Sequence, residues 1–266
     1  MFDGYIDYAC YWIVPKSLAF LRAFQENPWQ IFERYDADAI RYYVAAVMPE
    51  TRDSDFSWAD FVRRNNDELV ATWGNLANRV LSFAYKHWDG VVPEPGELRP
   101  DDRALLHEIE SGFDSVGGHI EAVKLRAALQ EAMRLAREVN GYLDRAPWFG
   151  VINDDKASAA TTVYTALRAI DSLKVLLAPF LPFSSERLHT TMGYEKPIFG
   201  EQHIETYQEA SRSHEALVYD PSPATGHWAA SELEAGRKFR KPKPLFKKLD
   251  DSIVEQERSR LGAEMG

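Results

Sequence analysis

Phe61-Val62-Arg63-Arg64-Asn65-Asn66-Asp67-Glu68-Leu69-Val70-Ala71-Thr72-Trp73-Gly74-Asn75-Leu76-Ala77-Asn78-Arg79-Val80 is the stretch on which the reading of this chain turns. Through it and just past it, Phe61, Asn65, Leu69, Trp73, Leu76, Val80 and Phe83 recur at steps of three and four. That spacing belongs to a long helix burying one stripe. Asn75 and Arg79 stand four apart and so share a face, about 100° round the axis from Leu76 and Val80. An amide fork therefore lies beside a guanidinium fork at the edge of the buried stripe. On composition alone such a pair is more often a solvated face or a loop cap.

Upstream, Asp36 is a candidate N-cap for a short helix running to Val47, which Pro49 stops. Residues 51–56 read as a loop that delivers Ser57 as N-cap of the long helix, with Asp60 at N3 as an acidic version of the capping box. Downstream, Asp89-Gly90 ends that helix and a proline-rich crossing follows over residues 91–96. A second helix is expected from Asp101-Asp102 to about Val116, with Gly117-Gly118 interrupting it. A third is expected over about 120–143, striped by Val123, Ala127, Met133, Ala136, Val139 and Leu143. Pro147 closes it, leaving Trp148 either in the core or presenting its face at the bundle end. A fourth helix spans about 157–178, with Val163, Leu167, Ile170, Leu173 and Leu177 inward. Pro179 breaks it and Pro182 starts a fifth, which ends by Gly193. Short connections between these helices predict an all-α fold, an antiparallel bundle of four to five helices with short irregular extensions.

This divides the chain into an unassigned aromatic segment over 1–30, a connector over 31–57, the bundle over 58–195 and an extension over 196–266. Within the first segment, Met1 to Val14 fits a helix face or a strand, and Pro15 ends that stretch. After Lys196 no periodicity is sustained. The tail carries Arg237, Lys238, Arg240, Lys241, Lys243, Lys247 and Lys248 before the next acid, Asp250. It reads as a solvated tail, a phosphate contact or a docking strip.

With 266 residues, 45% of them hydrophobic, the chain can bury a sizeable core. Its single cysteine, Cys10, excludes an internal disulfide framework and a cysteine-based zinc knuckle. No apolar run approaches the ~20 residues of a membrane span, and a cytoplasmic location is expected. The net charge of −10 argues against a non-specific nucleic-acid coat, while leaving room for one local RNA site.

The runs 61–69 and 73–79, together with Ala146-Pro147-Trp148, resemble the anticodon-binding bundle of methionyl-tRNA synthetases. The wording Asp53-Ser54-Asp55-Phe56-Ser57-Trp58 resembles that family's stem-contact segment, and Pro244-Leu245-Phe246-Lys247-Lys248-Leu249-Asp250 resembles its terminal tail, which folds back along the bundle. The resemblance implies that Asn75, Arg79 and Trp148 read and stack anticodon bases. It makes a tRNA with a CAU anticodon the partner, and the run of basic residues in the tail makes Lys241, Lys243, Lys247 and Lys248 candidate phosphate contacts. Asn, Arg and Trp suit that task, since single-stranded loops are recognised by stacking splayed bases and bonding their edges.

The family's two ATP-site signatures are missing. There is no His-x-Gly-His type motif, and only Val14-Pro15-Lys16-Ser17 stands where a Lys-Met-Ser-Lys-Ser type loop belongs. His189 and His214 are isolated from any nucleophile motif. The acid pairs Asp101-Asp102 and Asp154-Asp155 sit at helix starts, where capping explains them. No catalytic residue, metal or cofactor is therefore expected in this chain, and no adenylate formation from it alone; ATP and methionine would bind a separate catalytic domain. The competing expectation is a non-enzymatic helical scaffold, derived from the same bundle, that binds a protein partner.

Overall fold

The computed structural model describes residues 28–50 and 56–263. The aromatic segment before residue 28 and nearly all of the 51–56 loop lie outside the described residues. Two short helices, α1 (Pro28–Arg34) and α2 (Ala37–Ala46), lead in. Asp36 caps α2 by accepting from the Asp38 amide, as its position predicts. Ser57 likewise caps α3 (Trp58–Arg64) by accepting from the Asp60 amide at 3.3 Å. The reciprocal half of the expected capping box is absent. Asp60 instead takes Arg63 and Arg64, and the Ser57 amide donates to the Tyr43 hydroxyl.

The chain does not pass from α3 into α4 (Asn75–His87) as one regular helix. Between them Asn65–Gly74 is a π segment, its hydrogen bonds reaching back five residues, as from the Asn75 amide to the Val70 carbonyl. The stripe explains this. Phe61, Asn65, Leu69 and Trp73 are three consecutive steps of four, each of which overshoots an α-helical turn by about 40°. A wider turn keeps them in line, and Asn65, Leu69 and Trp73 are all buried.

α5 (Pro100–Glu121), α6 (Leu125–Arg145) and α7 (Lys156–Leu177) pack on one another, α6 and α7 also pack on the π–α4 helix, and α8 (Pro182–Thr191) packs on α2 and α7. The core stripe of α7 is buried throughout, from Val163 to Leu177. The acid pairs cap as expected. Asp102 accepts from the Arg99 amide at the head of α5, and Asp155 accepts from the Ser158 amide at the head of α7.

Three expectations fail here, each for a physical reason. Gly117-Gly118 does not interrupt α5. Without a Cβ, Gly117 admits the Trp228 indole, whose Nε1 lies 3.1 Å from where that atom would be and donates to the Phe113 carbonyl. The reversal comes later, at Val123, whose φ of 57° puts it in the left-handed region. Val123 is accordingly exposed rather than part of the stripe, and Ala128 faces the core in preference to Ala127.

The extension is more ordered than its lack of periodicity suggests. Strands β1 (Glu201–Gln208) and β2 (Ser213–Asp220) form an antiparallel hairpin, with Ile204 opposite Leu217 and Tyr207 opposite His214. Beyond it, residues 236–239 pair with 90–92, and Gly193 opens α8 to the Lys238 carbonyl. Leu245 and Phe246 are buried, Phe246 lying over Gly74 of the π segment. The Asn65 amide donates to the Lys247 carbonyl, and Asn66 both donates to and accepts from the Leu249 backbone. A last helix, α9 (Ile253–Ala263), packs on α3, where its buried Glu257 takes Arg34 and Tyr35. No helix among the described residues is long and apolar enough to cross a membrane.

Candidate nucleic-acid interface

Asn75 is the first residue of α4, at the junction where the π segment returns to α-helix, and its side chain is exposed. Arg79 follows one turn on. One Arg79 amino group donates to Asn140 Oδ1 at 3.0 Å, and Asn140 Nδ2 donates in turn to the Thr72 and Ala136 carbonyls at 3.1 and 3.0 Å. Asn140, from α6, thus joins the π segment to the guanidinium and fixes its plane. The Arg79 Nε–H is buried and finds no acceptor among the described residues.

Trp148 lies in the turn after α6 and is half-buried. Its ring meets Phe83 edge-on at 4.9 Å, and the Arg79 guanidinium stands 5.7 Å from its centroid. The indole Nε1 donates to the Leu143 carbonyl at 3.0 Å. With that donor satisfied, the ring offers contact area alone, which suits stacking. Arg79 and Trp148 therefore meet at one end of the bundle, with Asn75 one helical turn before Arg79. Both readings of Trp148 hold in part, since it packs on the core edge and keeps part of its surface open.

Several neighbours carry no sequence signal of their own. Asn140 is a mid-helix amide whose partners come from a different helix. Phe149 is 72% exposed beside Trp148, while His87 and Trp88 continue the ring contacts from Phe83. Burial first, then the Lys86 and Lys156 ammonium groups, hold the His87 ring below its usual range.

Lys241 and Lys243 lie between Phe239, whose ring meets Tyr85, and Leu245, while Lys247 and Lys248 follow Phe246, which lies over Gly74, the residue before Asn75. The four lysine side chains are exposed while the Lys247 and Leu249 backbones are tied to Asn65 and Asn66. His189 is buried and satisfied, its Nδ1 facing Lys174 Nζ at 2.9 Å and its Nε2 donating to the Lys196 carbonyl. His214 lies on the exposed hairpin, stacked with Tyr207. Among the described residues no His, Cys, Asp and Glu cluster could hold a metal ion.

Comparison with known proteins bears on the family of the chain. Residues 25–81 match the class I tRNA synthetase (M) family model, and residues 92–222 match the anticodon binding domain of methionyl tRNA ligase. The methionine–tRNA ligase of Thermomicrobium roseum is 53% identical over 234 residues, covering 87% of this chain and 40% of that protein. That of Thermobifida fusca is 42% identical over 241 residues, covering 88% and 39%. The chain thus spans about 40% of the length of the curated relatives it matches. A crystal structure of Mycobacterium tuberculosis methionyl-tRNA synthetase bound by methionyl-adenylate shares the fold, with a TM-score of 0.66 at 24% identity over 83% of this chain and 40% of that one. With two adjoining models of one family along its length and relatives at half identity, this chain belongs to the methionyl-tRNA synthetase family, whose anticodon-binding domain it carries.

Proposed function

We propose that this chain recognises tRNA through the anticodon loop, with CAU as the preferred anticodon, as the non-catalytic, tRNA-reading part of a methionyl-tRNA synthetase. The arrangement of Arg79 carries the reading. Its guanidinium is held by Asn140, stands over the Trp148 ring and keeps a buried Nε–H without an acceptor among the described residues, one turn along the helix from the exposed amide of Asn75. A base stacked on Trp148 would bring its hydrogen-bonding edge within reach of both forks.

The lysines of the tail supply a different contribution. Lys247 and Lys248 face solvent from a backbone held by Asn65 and Asn66. They suit sequence-blind phosphate contact along the body of a tRNA rather than base reading. ATP and methionine would be handled by a catalytic domain.

A gel shift with the full chain tests the reading. A tRNA bearing CAU should be retarded, and a tRNA of the same body with another anticodon should need a higher protein concentration. No retardation of either tRNA, with the chain folded, would favour the scaffold that binds a protein partner.

A further inference from the structure

The aromatic surface at the bundle end does not stop at Trp148. Phe149 is 72% exposed, its ring 6.1 Å from Trp148 and 5.9 Å from Phe83. Phe83 also faces His87 at 4.4 Å and Trp88 at 6.1 Å, and Lys156 Nζ stands 5.5 Å over the Trp88 ring. His87, Trp88 and Lys156 line a depression of about 360 Å³, at the lower end of the size of small-ligand sites. Two features are not explained by packing. An aromatic ring this exposed, continuous with other rings, marks an interaction surface. The Lys156 ammonium, meanwhile, is poised over a ring at the rim of a hollow, where it can meet an anion while the ring takes a flat apolar partner.

We propose that Phe149 and the His87–Trp88 pair, with Lys156, form a second stacking subsite that takes an unpaired nucleotide flanking the anticodon. This rests on the anticodon reading above. The chemistry favours a nucleotide over an apolar peptide. Every base offers a π-face to such rings, and the cation lies where the attached phosphate would follow. Asp89 and Glu94 line the same depression, so the phosphate track is confined to the Lys156 side. The rings of the two subsites are joined through Phe83, which lets one loop run across both without a gap.

The test uses the full chain and a labelled anticodon stem-loop hairpin with a CAU loop, read by fluorescence anisotropy. Two further hairpins are abasic at the nucleotide immediately 5′ or 3′ of the anticodon. Phe149→Ala, whose ring is mostly in solvent, should weaken the intact hairpin at least about fivefold, the lower bound for one lost stack. That penalty should vanish on one of the abasic hairpins, and the preference for CAU should stay unchanged. Lys156→Gln should weaken binding and lower the salt slope by about one. If wild type binds the CAU hairpin but Phe149→Ala costs the same on all three hairpins, or nothing on any, the second subsite is overturned while the anticodon reading stands. Failure of wild type to bind the CAU hairpin overturns both.

Discussion

Replacing Asn140 by aspartate keeps the shape of the side chain and removes two donors. In the native bundle Nδ2 serves the Thr72 and Ala136 carbonyls, while Oδ1 accepts from Arg79. In Asn140→Asp an oxygen faces both carbonyls. The lost donation costs about 1–3 kcal/mol. The new ion pair with Arg79 is partly exposed and returns at most about 1 kcal/mol. The net loss of about 1–2 kcal/mol should lower the melting temperature by roughly 2–8 °C. The effect on RNA is larger than the effect on stability suggests. The carboxylate fixes the Arg79 charge on the protein and sets a negative group beside the loop, so the guanidinium no longer serves a base edge. A well-placed pair of that kind discriminates by about 1–3 kcal/mol. Affinity for a CAU hairpin should therefore fall about tenfold, with a loss of preference over hairpins with other anticodons. Anisotropy titrations and thermal melts on the same preparations read both effects. A variant that melts lower yet binds and discriminates like wild type would refute the role given to Asn140 and, through it, to Arg79.

Gly193 has φ of +84°, and a Cβ there would lie 1.9 Å from the Lys238 carbonyl, so Gly193→Ala should cost more than about 2 kcal/mol; an unchanged denaturant midpoint would contradict that packing. Burial, then the Lys174 ammonium, pushes His189 down to about 4 from its ordinary 6.5. The unfolded chain therefore binds this proton first, and the stability is full above about pH 6.5 and lost as pH falls toward 4. His189→Gln should flatten that acid limb in melts taken across the range, and an unaltered limb would assign it to other groups. Neutralising Lys247 and Lys248 together should weaken all tRNAs alike and lower the salt slope by about two, without changing the preference for CAU. A selective loss for CAU would contradict their reading as phosphate contacts.

Much of the bundle is legible in the sequence because burial imposes a period. The stripe from Phe61 to Phe83, the caps at Asp36 and Ser57 and the breaks at Pro179 and Pro182 are all local signals. The π segment was also written there, in three successive steps of four, although those steps read as ordinary helical spacing. The errors occur where a distant partner decides. Gly117 looks like a break until Trp228 fills the space its missing side chain leaves, and Val123 looks inward until the chain reverses there. The hairpin at 201–220 carries no alternation because neither of its strands buries a full face. Asn75, Arg79 and Trp148 could be singled out through resemblance, but nothing local in Asn140 or Phe149 says that they stand beside them. Helix α6 and the turn after it bring them to the same end of the bundle.

The most direct test of anticodon reading is the ratio of affinities for a CAU hairpin and one with a changed first anticodon base, measured for wild type, Asn75→Ala, Arg79→Ala and Trp148→Ala. Trp148→Ala should weaken the CAU hairpin by about 1–3 kcal/mol. Asn75→Ala and Arg79→Ala should lower both the affinity and the ratio, because they remove groups that read base edges. If Trp148→Ala leaves RNA binding intact but sharply lowers the melting temperature, Trp148 is a core residue, and the bundle is a scaffold for a protein partner.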